Sequence, residues 1–384
     1  MTTKIINASV VLLDRILEGG TVVFEDGIIT YVGTDSPAAD EVYDAEGKYL
    51  LPGFVDIHCH GGGGYDFMDA TPDEMRKISA FHLSHGTTTL VATTLTDTWE
   101  SIEYSLDNFA ALGDDRLTLH GVHLEGPWFS PAQCGAQSVD QMEAPSGDKL
   151  RRLKSKYPFI ERVSLAPEID EGFNTGRAAV DLGLVAAIGH TDCDFDTAVA
   201  AADNGYSLVT HLYSGMRGVI RINAYRSAGC VEGSLFDDRL TVETIADGKH
   251  LPAGLLKLIH KCKGPDRICL VTDATRGAGS SDGDTIMLGK MVGGTLAIVE
   301  DAVAKLPDRQ SFAGSIATAD RLFRTVRELV GIPLWEISRM ISTTPARAMG
   351  YTDRGRIEAG LRADLVVMDK DFNINKIFLK GETK

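Results

Sequence analysis

Residues 52–60 read PGFVDIHCH, a short apolar run that ends in His58 and His60. On a strand, residues i and i+2 share a face, so both imidazoles project into the same space. Seven further runs of the same texture follow: TTTLVATTLTD (87–97), LTLHGVHLEG (117–126), RVSLAPE (162–168), LVAAIGHTD (184–192), SLVTHLY (207–213), LTVETIAD (240–247) and ICLVTDA (268–274). Helical patterns separate several of them, among them DEMRKISAFHL (73–83), DFDTAVAAADNG (194–205) and PAGLLKLIHKC (252–262), and the amphipathic SIATADRLFRTVRELVG (315–331) fits a last barrel helix. Eight strands alternating with helices predict a closed parallel (β/α)8 barrel. An open doubly wound sheet fits less well, because no GxGxxG follows the first run.

The flanks have another character. KIINASVVLL (4–13), the turn ILEGG (16–20) and TVVFEDGIITYVG (21–33) alternate apolar and polar residues around an Asp26-Gly27 hairpin signal, and GRIEAGLRADLVVMDKDFNINKIFLKG (355–381) reads the same way. Both ends are therefore expected to build one small β-sandwich, residues 1–52 and 350–384, with the barrel over 53–349 inserted between its parts.

The 384-residue length suits one barrel with a smaller appendage, and 43% hydrophobic with 24% charged residues is ordinary globular composition. A net charge of −16 argues against nucleic acid and anionic membranes as partners, while leaving room for a small anion in a local basic pocket. No apolar run is long enough to cross a bilayer and the N-terminus lacks a signal-peptide pattern, so a cytoplasmic protein is expected. The six cysteines show no CxxC spacing, so no structural disulfide is expected, and Cys59 is read as a buried side chain on the strand face opposite the histidines.

The ends of the runs carry the chemistry. His58 and His60 close the first, Glu125 the third, His190 the fifth, His211 the sixth and Asp273 the eighth. One histidine ending a strand is commonly a satisfied core imidazole. Six such groups at the strand ends, where barrel enzymes place their chemistry, are more than packing requires. Imidazole and carboxylate together suit Zn2+, Fe2+ or Mn2+. An aspartate beside such an ion could take a proton from water and return it to a leaving nitrogen. The run Gly61–Gly64 forms no phosphate-binding motif and is read as a flexible loop near the site.

LPGFVDIHCHGGGG, the strand-end histidines and VTDA resemble the amidohydrolase superfamily. HLEGPWFSPAQCGAQ (123–137), LAPE, GHTD, VTHLY, LTVETIADGKH (240–250), FAGS (312–315) and TTPARAMG (343–350) resemble N-acetylglucosamine-6-phosphate deacetylases more closely. The resemblance implies a homodimer that hydrolyses the acetamido group of an amino-sugar phosphate. It implies Glu125, His190 and His211 as principal metal ligands, Asp273 as the catalytic aspartate, and, because His58 and His60 are both present, the type that can hold two divalent ions rather than one.

For substrate contacts the resemblance implies Ala136 and Gln137 near the acetamido end, Ser214 and Gly215 in the loop after His211, the segment Asp247 to His250, and Phe312, Ala313 and Gly314. Arg226 matches an arginine that reaches the phosphate across the dimer interface; taken alone, it reads equally as a solvated surface charge. Two departures concern the sugar: Ser214 stands where the family has asparagine, and MRGVIRINAYRSAG (216–229) differs from its proline-containing segment. A galacto substrate or another N-acyl compound is the alternative. A non-catalytic barrel would be expected to have lost ligands that are all present here.

Overall fold

The eight apolar runs become eight parallel strands in the computed structural model, which describes residues 1–384: β1 (Phe54–Cys59), β2 (Thr87–Thr93), β3 (Leu119–Glu125), β4 (Ile160–Leu165), β5 (Val185–Ile188), β6 (Leu208–Val209), β7 (Thr241–Thr244) and β8 (Ile268–Leu270). They are hydrogen-bonded in sequence order. The ring closes just beyond β8, where Cys59 pairs in parallel with Ala274 and the Asp273 N–H donates to the His58 carbonyl at 3.0 Å.

A helix follows each strand: α1 (Pro72–Ser84), α2 (Trp99–Ala110), α3 (Gly147–Lys156), α4 (Asn174–Asp181), α5 (Phe195–Asp203), α6 (Cys230–Phe236), α7 (Ala253–Lys263) and α8 (Ala319–Leu329). The starts are written locally. Thr71 caps α1 in a capping box with Glu74, and Thr98 and Asp194 cap α2 and α5 through their side chains. The expected last helix begins four residues late, at Ala319, because Ser315 is taken up in a parallel bridge to Ala274 at the barrel seam.

The glycine run is not a loose loop. Gly61–Gly62 pairs with Tyr65–Asp66 in a short antiparallel ribbon, turned at Gly63 (φ 59°) and Gly64 (φ 94°), where side chains rarely go. Between β8 and α8 the chain inserts a three-stranded antiparallel sheet, Thr285–Leu288, Thr295–Glu300 and Val303–Lys305.

Strands from both chain ends, within 2–52 and 365–383, form one eight-stranded sheet. It wraps around its own core of Ile5, Val22, Phe24, Ile29, Leu365 and Phe378, with the Phe24 and Phe378 rings 5.5 Å apart although several strands separate them in the sheet. This is a separate domain from the barrel, whose core is distinct. All six cysteines are free thiols, and no helix is long and apolar enough to cross a membrane.

Candidate active site

Six side chains meet at the C-terminal mouth of the barrel. Glu125, at the end of β3, is the hub: Oε1 lies 3.0 Å from His211 Nε2, 3.4 Å from His190 Nε2 and 3.5 Å from His58 Nε2, while Oε2 lies 3.3 Å from His60 Nε2. Asp273 Oδ1 stands 3.2 Å from His60 Nε2 and 3.4 Å from His58 Nε2. All six are buried. Cys59, between the two β1 histidines, turns outward, its Sγ 3.2 Å from His82 of α1.

The backbone is bent to bring them there. His190 (φ 44°), His211 (φ 28°) and Asp273 (φ 47°) all have left-handed conformations. Such residues cost of order 1–3 kcal/mol each and persist where the surroundings over-determine them, characteristically at active sites. Gly215 allows one such approach: a Cβ there would meet His190 Nδ1 at 2.8 Å.

The donors fit a divalent cation. His190 Nδ1 donates to the Gln133 carbonyl at 2.9 Å, His60 Nδ1 to the Thr93 carbonyl at 3.3 Å, and His58 Nδ1 to Glu243 Oε2 at 3.0 Å. With Nδ1 carrying the proton, each Nε2 lone pair is turned into the cluster, the usual outer arrangement around ligating histidines. His58, Glu125 and His211 form one compact donor group, and His58, His60 and Asp273 a second.

The electrostatics agree. Burial raises the Glu125 and Asp273 carboxyls, but the surrounding imidazoles outweigh it and hold both below the usual carboxylate range. Burial lowers His60, but Asp273 and Glu125 reverse that and hold it well above its ordinary value. A pocket that stabilises positive charge on a buried imidazole in this way also stabilises a metal ion.

A cavity of about 330 Å³ opens over the cluster, a size suited to a small ligand. Of the residues anticipated as substrate contacts, Ala136, Gln137, Ser214, Gly215, His250, Phe312 and Gly314 line it. Asp247 and Ala313 do not. Asp247 is buried and folds back on its own loop, accepting from the Lys249 and His250 backbone and holding His250 Nδ1 at 2.8 Å. Ala313 is fully buried, its backbone tied to Ala304. Arg226 lies outside the lining, on an exposed antiparallel ribbon, Ile220–Ile222 with Tyr225–Ser227.

The structure adds residues that sequence reasoning passed over. Leu95, Tyr213, Leu288, Gln310 and Ser311 also line the cavity, and no lysine or arginine does. Gln137 is more than a lining residue: its Nε2 donates to Glu125 Oε2 at 2.7 Å while its Oε1 accepts from the Thr96 N–H at 2.8 Å.

Beneath the cluster, Arg162 of β4 is wholly buried and ion-paired to Glu243 of β7. Burial pushes the Glu243 carboxyl up, but Arg162 and His58 outweigh it and bring it down to about 2. The visible signal for this pair was Glu243 inside one apolar run and Arg162 at the start of another, where a barrel interior ordinarily takes branched aliphatics.

Residues 49–384 match the sequence model of the Amidohydrolase family. The chain is 32% identical to the N-acetylglucosamine-6-phosphate deacetylase of Bacillus subtilis (strain 168), the match covering 97% of this chain and 94% of that one. It is 30% identical to the N-acetylgalactosamine-6-phosphate deacetylase of Escherichia coli O157:H7, covering 93% and 92%. Among solved structures, a mutant N-acetyl-D-glucosamine-6-phosphate deacetylase from Mycobacterium smegmatis in complex with N-acetyl-D-glucosamine-6-phosphate superposes with a TM-score of 0.91 at 34% identity, covering 100% of this chain and 98% of that one. With this site on this barrel, the chain belongs to the Amidohydrolase family and, within it, to the family of the N-acetylglucosamine-6-phosphate deacetylases.

Proposed function

We infer that this protein hydrolyses the acetamido group of N-acetyl-D-glucosamine 6-phosphate, releasing acetate and D-glucosamine 6-phosphate. One observation carries the reading: Asp273 Oδ1 is set against the Nε2 atoms of His58 and His60 at the floor of a cavity of about 330 Å³, in a chain of this family.

His58, His60, Glu125, His190 and His211 would hold one or two divalent ions, Zn2+, Fe2+ or Mn2+ by their donor chemistry. A metal held there would supply polarisation of the amide carbonyl and a lowered pKa for water, about 7 in favourable sites. Asp273, held as a carboxylate by its imidazole neighbours, takes one proton from the attacking water. It returns that proton to the amide nitrogen, so that the sugar leaves as an amine and the acyl carbon as acetate. Gln137 keeps Glu125 Oε2 hydrogen-bonded and the loop bearing it closed against Thr96. His250, Ser214 and Gln310 offer polar contacts to the sugar.

The cavity lacks a lysine or arginine for the 6-phosphate. The exposed ribbon supplies a candidate: Arg226 is paired directly with Arg221 across it, both are exposed, and exposed Val219, Ile222 and Tyr225 lie beside them in the chain. Like charges set directly opposite are unfavourable until an anion joins them. We propose a cytoplasmic homodimer in which Arg226 serves the partner's cavity.

A galacto-configured substrate is the second reading, favoured by Ser214 at the cavity wall and by the relative named for N-acetylgalactosamine 6-phosphate. Acetate release from the two epimeric 6-phosphates and from unphosphorylated N-acetylglucosamine separates the readings. Preference for the galacto phosphate overturns the first, and equal turnover without phosphate overturns both.

A further inference from the structure

Within the barrel, directly under the donor cluster, one carboxylate oxygen touches two of the proposed ligands. Glu243 Oε2 accepts from His58 Nδ1 at 3.0 Å and from the backbone N–H of His211 at 3.1 Å. The other oxygen, Oε1, is taken by the Arg162 guanidinium. Arg162 is itself fixed by the Ile57 carbonyl at 3.2 Å and Thr210 Oγ1 at 2.8 Å, so its fork spans β1, β4, β7 and the residue before His211. All of these groups are buried.

We propose that Glu243, clamped by Arg162, is a positioning residue for the metal centre: it fixes the His58 tautomer and joins the ligand of β1 to the ligand following β6. His58 Nδ1 has no other partner, so without Glu243 nothing selects the tautomer that turns Nε2 to Glu125 and Asp273. The left-handed His211 backbone (φ 28°) loses its N–H acceptor in the same stroke. A pair with a merely space-filling role would be an expensive choice, because apolar side chains of similar volume fill an interior at least as well as a buried ion pair. Its two ends are used instead: Arg162 orders Glu243, and Glu243 orders the ligands.

The inference rests on the donor cluster being a metal centre. The test reads metal affinity, with no dependence on the sugar. Zn2+ affinity and stoichiometry would be measured by chelator competition on the full-length protein, alongside its thermal unfolding. The proteins would be wild type, Glu243→Gln, and the double variant Arg162→Met with Glu243→Met. Glu243→Gln leaves Arg162 unpaired and can lose stability for that reason alone. The double variant removes both charges, so its stability returns towards wild type while His58 still lacks an acceptor. The expected result is a roughly 10–100-fold weaker Zn2+ affinity in the double variant, with a folded barrel. Wild-type affinity and stoichiometry in a folded double variant overturn the inference. A wild-type protein that binds no Zn2+, Fe2+ or Mn2+ overturns the metal-centre reading beneath it.

Discussion

Asp273 Oδ1 and His60 Nε2 stand 3.2 Å apart, although one residue follows the last barrel strand and the other the first. The ring places them together because the barrel seam falls between those strands: the Asp273 N–H is bonded to the His58 carbonyl, and the His60 N–H to that of Ala274. The proposed acid–base group and two of the proposed ligands thus share one hydrogen-bonded seam.

Asp273→Asn tests the assigned proton transfer. Asparagine tolerates the left-handed backbone that this position requires (φ 47°), so the fold and the neighbouring donors stay in place. Loss of a general acid–base group is expected to lower kcat by roughly 10²–10⁴-fold. Acetate release and metal content measured on one sample check it. Undiminished kcat in a metal-replete variant would sink the assignment.

His82 of α1 makes an acid-sensitive contact. It is fully buried, with Nε2 2.9 Å from the Gly61 carbonyl and 3.2 Å from Cys59 Sγ, and burial lowers its pKa to about 4. The unfolded imidazole titrates near 6.5. Between those values the unfolded chain binds the extra proton, so stability is complete above about pH 6.5 and falls as pH drops towards 4, by on the order of 3 kcal/mol. Thermal melts across pH 4–7 should show a shallower acid slope in His82→Gln than in wild type. Parallel curves would remove His82 from the account.

Much of the barrel was legible because five of the eight strand runs ended in a histidine or carboxylate that the mouth gathers, so strand count and site came from one pattern. Placement through backbone folding back was not legible. Asp247 looks like a sugar contact in a motif, but its carboxylate is spent on the backbone of Lys249 and His250. The late start of α8 depends on Ser315 bonding across the seam to a residue 41 positions earlier, which no helical period records. Glu243 was visible only as a charge inside an apolar run and Arg162 only as one at the start of another; their pairing required the ring to bring β4 and β7 together.

Gln137 links the loop after β3 to the hub. In Gln137→Ala, Glu125 Oε2 and the Thr96 N–H each lose a partner. A hydrogen bond to a charged group contributes about 1.5–3 kcal/mol, so kcat/KM is expected to fall about 10–100-fold. Steady-state kinetics check this, and an unchanged kcat/KM would show that the loop holds its place without the bridge.

Arg226 offers a test that also reads the assembly. Arg226→Ala is expected to raise KM for the 6-phosphate by roughly 10–100-fold, the worth of one charge-assisted fork, with kcat nearly kept. Arg226→Lys should recover only part, since an ammonium cannot make the planar double contact. Co-expressing Arg226→Ala with Asp273→Asn then distinguishes whose cavity the arginine serves. If it crosses to the partner, each mixed dimer contains one complete site: the intact Asp273 lies in the alanine subunit, and the asparagine subunit lends its Arg226. Activity at low substrate then exceeds the mean of the two parent variants. If Arg226 acts within its own subunit, or is only a solvated charge, co-expression yields no more than that mean.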